Sequence, residues 1–193
     1  MLAGPRNSYS VVQIWARKGP DHYLVLQWRA QADFDDVFAV CRRLKLRFRP
    51  CAILIERSAM GPALLSEAKS RGWRGLQTVV VDQRSKADRL AGVADQIRAK
   101  RVHIPTDADW VEELIGECID FPNSRYTDQL DALVQYLEWV EGRPEFPPLS
   151  RPAIGAIAFG SRPGGTTPPS NPAPKINPKA PGLIAVARRR RIW

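Results

Sequence analysis

The sequence predicts an α/β domain in which helices cover a mixed β-sheet. Two neighbouring segments, 11–15 and 22–28, are rich in β-branched and aromatic residues and flank a turn-like stretch at 16–21, which indicates an antiparallel hairpin. After the hairpin, short apolar runs alternate with segments whose apolar residues recur at helical spacing. A hairpin followed by strand–helix alternation is typical of a mixed sheet covered by helices.

The order of elements follows from these patterns and from their end signals. Asp33 is expected to cap the first helix and Pro50 to end it, and Ser85 opens a later helix. The proline in the short strand 101–105 places that strand at an edge. The predicted order is β-β-α-β-α-β-α-β-α-α, with helices at 34–47, 61–71 and 86–100, a fourth ending near 118 and a fifth over 127–140, and strands ending at 56, 82 and 105.

The last fifty residues differ in composition from the rest. Eleven of the seventeen prolines lie between Pro144 and Pro181, and glycine, serine and threonine fill much of the remainder. Such a segment buries too little apolar surface to offset its ordering entropy. We therefore predict a domain over residues 1–141 and a largely disordered, Pro-rich basic tail over 142–193, within which 153–159 could pack on the body.

Charge is concentrated in this tail. From Arg143 onward there are nine basic residues and one acid, whereas the preceding residues hold twenty basic and nineteen acidic side chains. The body is therefore near neutral, and a polyanion partner would be recognised by the tail. The four consecutive arginines Arg188, Arg189, Arg190 and Arg191 are candidates for nucleic-acid contacts, unless they only keep the tail soluble.

The chain lacks the sequence signals of secretion and of membrane insertion. Its first residues have no apolar signal-peptide stretch, and no run approaches the about 18 apolar residues of a membrane helix. Three cysteines without close spacing indicate buried thiols in a reducing compartment rather than a disulfide framework or zinc site. We expect a cytoplasmic protein with no membrane partner.

Carboxylates stand at two positions where chemistry is plausible. Glu56 ends a buried apolar strand, which is where open α/β sheets place their ligands, although a lone glutamate there could simply face solvent. Asp128 and Asp131 are three residues apart near the start of the fifth helix. If all three met, they would require a divalent cation such as Mg²⁺ or Mn²⁺, and two such ions would support attack of water on a phosphodiester. Alternatively, the aspartates cap the helix.

Together these stretches resemble the C-terminal nuclease domain of the phage terminase large subunit. The resemblance covers roughly residues 7–140 and is most specific in its last motif. The matching segments are 7–12, the Ile55–Glu56 pair followed by Ala59 and Gly61, the pair of segments 86–89 and 101–105, and 121–133.

The resemblance implies a ribonuclease-H-like fold and metal-dependent cleavage of phage DNA during genome packaging. By position, Glu56 would be the second metal ligand and Asp128 the third, with Asp131 supporting it. Lys86 and Arg89 would contact phosphates of double-stranded DNA, the alternative for both being a solvated helix face. Other terminase or portal components would be partners, and the host would be a bacterial cell.

The departures from the family pattern predict weak activity. The family's first strand carries an Asp before the stretch matched by 7–12, and Met1 to Arg6 contains no acid. The family's ATPase half, with its Gly-rich phosphate loop, has no counterpart either. We expect a gene fragment, a prophage remnant or a late start, and a domain that folds but cleaves poorly or not at all.

Two other functions remain open. One is a non-catalytic nucleic-acid-binding module acting through the basic tail. The other is an unrelated ribonuclease-H-like hydrolase such as a junction resolvase, which would share the acidic residues but would not need the segment 121–125.

Overall fold

The computed structural model describes residues 9–57, 60–80 and 83–144, and the backbone of 183–189. The first ten elements follow the predicted order. They are β1 (Ser10–Lys18), β2 (Asp21–Ala30), α1 (Phe34–Phe48), β3 (Ala52–Glu56), α2 (Gly61–Ser70), β4 (Leu76–Val79), α3 (Lys86–Arg98), β5 (Val102–His103), α4 (Val111–Asp120) and α5 (Asp128–Val140). An eleventh element, β6 (Leu183–Arg189), follows.

Two of the predicted helix caps act as expected. The Asp33 carboxylate accepts the backbone N–H of Asp36 at the start of α1. Ser85 opens α3 with a reciprocal pair of hydrogen bonds to Asp88, which is a capping box. These local interactions fix where two of the helices begin.

The sheet is mixed and has six strands in the order β4-β3-β6-β1-β2-β5. The hairpin β1–β2 is antiparallel, as predicted, and β5 is a parallel edge strand next to β2. On the other side, β3 and β4 are parallel. The α/β fold class, with a mixed sheet and helices consistent with a ribonuclease-H-like fold, is therefore confirmed.

Leu183–Arg189 lies within the tail that the sequence predicts to be largely disordered. This segment is β6, which lies between β1 and β3, antiparallel to the first and parallel to the second. The physical reason is local composition, because Leu183 to Ala187 form an uninterrupted apolar run after the last proline of the tail. The rest of the tail, including 153–159, lies outside the described residues.

Alternate residues of the strands supply two separate cores. One contains Val12, Ile14, Ile53 and Ile55 packed with α1 and α2. The other contains Val11, Trp15, Ala52 and Leu54 packed with α3, α4 and α5. The residue at 56 follows 52 and 54 in the two-residue period, so the α5 side of the sheet is also the side of Glu56.

Two further features bear on the sequence predictions. All three cysteines are in the thiol form; Cys41 is buried, as predicted, whereas Cys51 and Cys118 are half-buried. In the part of the chain that the structure describes, no helix has both the length and the apolar character to cross a membrane.

Candidate nuclease site

Glu56 is the last residue of β3 and is 7% exposed. The alternative interpretation, in which Glu56 faces solvent, is therefore wrong. Ala52 and Leu54, two and four residues earlier, belong to the core formed with α5. Strand alternation puts Glu56 on that same face, at the carboxyl end of a parallel strand.

The start of α2 is tightly packed against this strand end. Gly61 is the first residue of α2, and a Cβ atom built on it would lie 1.8 Å from the backbone oxygen of Glu56. Since real Cβ contacts are not that short, only glycine allows this approach. The first residue of α2 therefore lies directly against the carbonyl of Glu56.

The first turn of α5 begins at the same edge of the sheet. The ring of Tyr126, two residues before α5, contacts the ring of Tyr9, just before β1, with centroids 5.0 Å apart. Because β1 is antiparallel to β6 and β6 is parallel to β3, the start of β1 and the end of β3 share one edge. Asp128, the first residue of α5, is fully buried there.

Asp131 lies on the same helical turn but carries a cationic partner. Its side chain is 6% exposed, and the Lys86 ammonium lies 2.5 Å from Oδ2. The Thr127 hydroxyl donates to the same oxygen at 3.2 Å and also accepts from Lys86. Lys86 is thus placed at the acidic site by α3, with 38% of its side chain exposed.

Arg89 occupies a different environment from the one expected. Its side chain is 3% exposed, and its guanidinium donates to Oε2 of Glu138 on α5 at 2.7 and 3.1 Å. A solvated helix face is therefore wrong for Arg89. Arg84 pairs with the same carboxylate at 3.0 Å. Arg89 therefore links α3 to α5 through a buried ion pair, one helical turn from Lys86.

Glu117 is a buried acid that the sequence analysis missed. It is 6% exposed, and its carboxylate accepts the backbone N–H of Leu130 and the side-chain amide of Gln129, both at 2.9 Å. Burial raises the pKa of Glu117 above its usual range, and the neighbouring charge of Asp128 acts in the same direction. In the sequence, Glu117 could have been found as a charged residue three positions after Leu114, on the otherwise apolar face of α4.

Glu117 also explains how α5 is capped. The N-cap residue is Thr127, whose side chain makes no capping hydrogen bond. The orphan N–H of Leu130 is satisfied instead by Glu117 from α4. Capping is thus performed by a residue distant in sequence.

A chain of buried amides continues from Glu117 into the sheet. Gln129 accepts from Gln27 at 2.5 Å, Gln27 accepts from Gln13 at 2.7 Å, and Gln13 accepts from the indole N–H of Trp15 at 3.0 Å. Gln13 also donates to the backbone oxygen of Gln129 at 3.1 Å. A fully hydrogen-bonded network of this kind fixes one arrangement of its members. It ties the first turn of α5 to β1 and β2.

The donor chemistry near this edge suits a hard dication only in part. Glu56 and Asp128 supply carboxylate oxygens, which Mg²⁺ and Mn²⁺ prefer. The carboxylate of Asp131, however, is already paired with the ammonium of Lys86. Among the described residues, no group of three or more His, Cys, Asp or Glu side chains is arranged to hold a metal ion.

The arginines of the tail fall partly within the sheet. Arg188 and Arg189 are the last two residues of β6, in register with Val11 and Ser10 of β1. Arg190 and Arg191 lie outside the described residues. The start of β1 belongs to the edge where α5 begins, so β6 ends at that edge as well.

Comparison with known proteins agrees with the fold. A family model described as the terminase RNaseH-like domain matches residues 3–138. Searches of curated proteins and of solved structures gave no match. The family match covers most of the chain, including the three candidate carboxylates and every described element except the last two residues of α5 and the strand β6. The chain therefore belongs to the terminase RNaseH-like domain family.

Proposed function

We propose that this protein is a terminase-type DNA endonuclease that cuts phage DNA during genome packaging, with weak metal-dependent activity. The observation that carries the proposal is the shared edge. Glu56 ends β3 on the face covered by α5, and Asp128 begins α5 at the same end of the sheet. Both residues are buried, and both lie within the segment matched by the terminase family.

In this proposal Glu56 and Asp128 hold a magnesium or manganese ion. A bound dication would supply a nucleophilic water and would stabilise charge on the phosphodiester. The chain's own residues hold the carboxylates in place. Gly61 fixes the backbone at Glu56, and Glu117 fixes the first turn of α5.

Lys86 accounts for the proposed weakness of the site. Its ammonium neutralises Asp131, so the charge available to hold a cation is smaller than for three carboxylates. With 38% of its side chain exposed, Lys86 can also contact a phosphate of bound double-stranded DNA. Arg89 is assigned no DNA contact, because Glu138 holds it in the interior. Other terminase or portal components are the proposed protein partners.

The test is nicking of supercoiled plasmid in the presence of Mn²⁺. We expect slow conversion to the open circle by the full chain and its loss in Glu56→Ala. Glu67→Ala is the matched control, because Glu67 lies on α2 and forms an exposed pair with Arg71. Nicking that survives unchanged in Glu56→Ala would contradict the assignment.

A second candidate is a DNA-binding module without cleavage. The observation that favours it is the end of β6, which brings the first two of four consecutive arginines to the candidate site. It predicts salt-sensitive binding that is unchanged in Glu56→Ala, with no nicking by the wild-type protein.

A further inference from the structure

The strand β4 forms one edge of the sheet. In the part of the chain that the structure describes, β4 pairs with β3 on one side and with no strand on the other. The backbone N–H of Ile53 donates to the oxygen of Gly75 at 2.8 Å, and that of Arg57 donates to the oxygen of Val79 at 2.9 Å. Parallel pairing uses the backbone groups of alternate residues, so the N–H and C=O of Thr78 face the outer side of the strand. An extended chain can pair with β4 on that side.

A groove lies beside this edge, between β4 and α2. Its volume is about 580 Å³, which is within the range of ligand-binding clefts. Pro62 and Leu65 of α2 and the exposed Val80 give it a largely apolar wall. Thr78 also lines it, because Thr78 pairs with Ile55 and therefore has its side chain on the α2 side of the sheet. The groove and the outer backbone groups of β4 are thus next to each other.

The groove is basic, although the body of the protein is close to neutral. Arg57 and Lys69 line it and are both exposed, and none of its described lining residues is acidic. The surrounding segment 57–80 holds four basic residues and one acid, Glu67, which is paired with Arg71. The local charge therefore favours an anionic ligand.

The other properties of the edge favour a peptide over a nucleic acid. The backbone groups on the outer side of a strand pair with another peptide backbone, and this pairing supplies affinity when a strand is added to a sheet. A neighbouring groove then takes side chains from alternate residues of the added strand. Because β4 spans only Leu76–Val79, the interaction should be small and readily reversible.

We propose that the outer edge of β4 and the groove beside α2 form a docking site for an extended, acidic segment of a partner protein. The segment adds a strand to β4, and its acidic side chains pair with Arg57 and Lys69. Arg57 follows Glu56 and has the opposite orientation in the strand alternation, so the site lies on the other side of the sheet from the candidate carboxylates. The proposal therefore goes beyond the proposed nuclease function and does not depend on it.

The experiment measures binding of a defined peptide to the full chain in EDTA. The probe is a fluorescent decapeptide in which Val and Glu alternate, and its matched peptide has Gln in place of every Glu. The test variant reverses both charges of the groove, Arg57→Glu with Lys69→Glu. The control variant makes the same change at two exposed residues of α1, Arg42→Glu with Arg43→Glu.

A second pair of variants tests the backbone pairing. Thr78→Pro removes an N–H that faces away from β3, so the pairing of β3 with β4 is kept while the outer edge is blocked. Thr78→Val is its control, because it keeps the N–H. Circular dichroism checks that each variant is folded, and the charge reversal tests the site independently of the proline.

We expect the acidic peptide to bind the wild type more tightly than the glutamine peptide does. Its affinity should fall about tenfold in the double charge reversal and in Thr78→Pro, and stay unchanged in both controls. Equal binding of the two peptides, unchanged affinity in the charge reversal, or no binding at millimolar peptide would overturn the proposal.

Two further measurements separate the other occupants of this edge. Slow hydrogen exchange of the Thr78 amide in the free protein would show that the chain itself already covers the edge, and would overturn the proposal. A loss of affinity for a short DNA duplex in the charge reversal, with peptide binding unchanged, would assign the two cations to DNA and also overturn it. Absence of nicking would reject the nuclease function and leave the peptide result intact.

Discussion

The same substitution, glycine to alanine, should have opposite effects at two helical positions. Gly61 begins α2, and an added Cβ would meet the backbone oxygen of Glu56 at 1.8 Å. Gly116 lies inside α4, where nothing is within 4 Å of an added Cβ. The first change forces α2 away from β3 by more than an ångström, whereas the second meets no neighbouring atom, raises helix propensity and lowers the entropy of the unfolded chain.

The magnitudes follow from these contacts. Overpacking against backbone that cannot move should destabilise Gly61→Ala by about 3 kcal/mol, which is a fall in Tm of roughly 10 °C for a domain of this size. Gly116→Ala should gain about 0.5–1 kcal/mol, or roughly 2–4 °C, from helix propensity and unfolded-state entropy.

The assay is thermal unfolding followed by far-ultraviolet circular dichroism, with urea unfolding as an independent measure. An unchanged Tm for Gly61→Ala would refute the claim that α2 is packed directly on the carbonyl of Glu56. A fall for Gly116→Ala would show that α4 has less free space than the structure indicates.

Three further predictions concern charged groups. Lys86→Met should raise Mn²⁺ affinity several-fold in calorimetry, because Asp131 loses its ammonium partner. Glu138→Ala should lower the free energy of unfolding, measured in urea, by about 2–4 kcal/mol, because it leaves the buried guanidinium of Arg89 without its carboxylate. Removing the exposed ion pair between Arg98 and Asp95 should cost less than about 0.5 kcal/mol. Burial lowers the pKa of His22 to about 4, so the free energy of unfolding should fall by up to about 3 kcal/mol between pH 6.5 and pH 4.

The sign of the last effect follows from the depressed pKa. Between the unfolded and folded pKa values of His22 the unfolded chain binds more protons, so stability falls as the pH falls. His22→Gln should flatten that part of the curve, and an equally steep curve would contradict the assignment. Unchanged Mn²⁺ affinity in Lys86→Met, or equal losses from the buried and exposed ion pairs, would contradict the other two predictions.

The sequence was sufficient for the elements that are defined by local signals. The hairpin, the caps at Asp33 and Ser85 and the strand ending at Glu56 were all predicted and confirmed. Each depends on residues close together in the chain, where spacing and capping chemistry decide the outcome. The family match at 3–138 agrees with the resemblance carried by the motifs.

The parts that were missed depend on contacts between distant residues. The strand β6 follows a proline-rich segment, and composition averaged over fifty residues hid its short apolar run. Burial of Arg89 depends on Glu138, forty-nine residues later, and Glu117 is held by residues of α5. No spacing rule within one helix could reveal those partners.

The central claim is that Glu56 and Asp128 act as one cation site at one edge of the sheet. Binding of Mn²⁺ measured by electron paramagnetic resonance of the free ion tests it most directly, with Asp107→Asn as an exposed acidic control. We predict one weak site, with a dissociation constant on the order of 0.1–1 mM, that disappears in both Glu56→Gln and Asp128→Asn and persists in the control. A site that survives either substitution unchanged would contradict the claim.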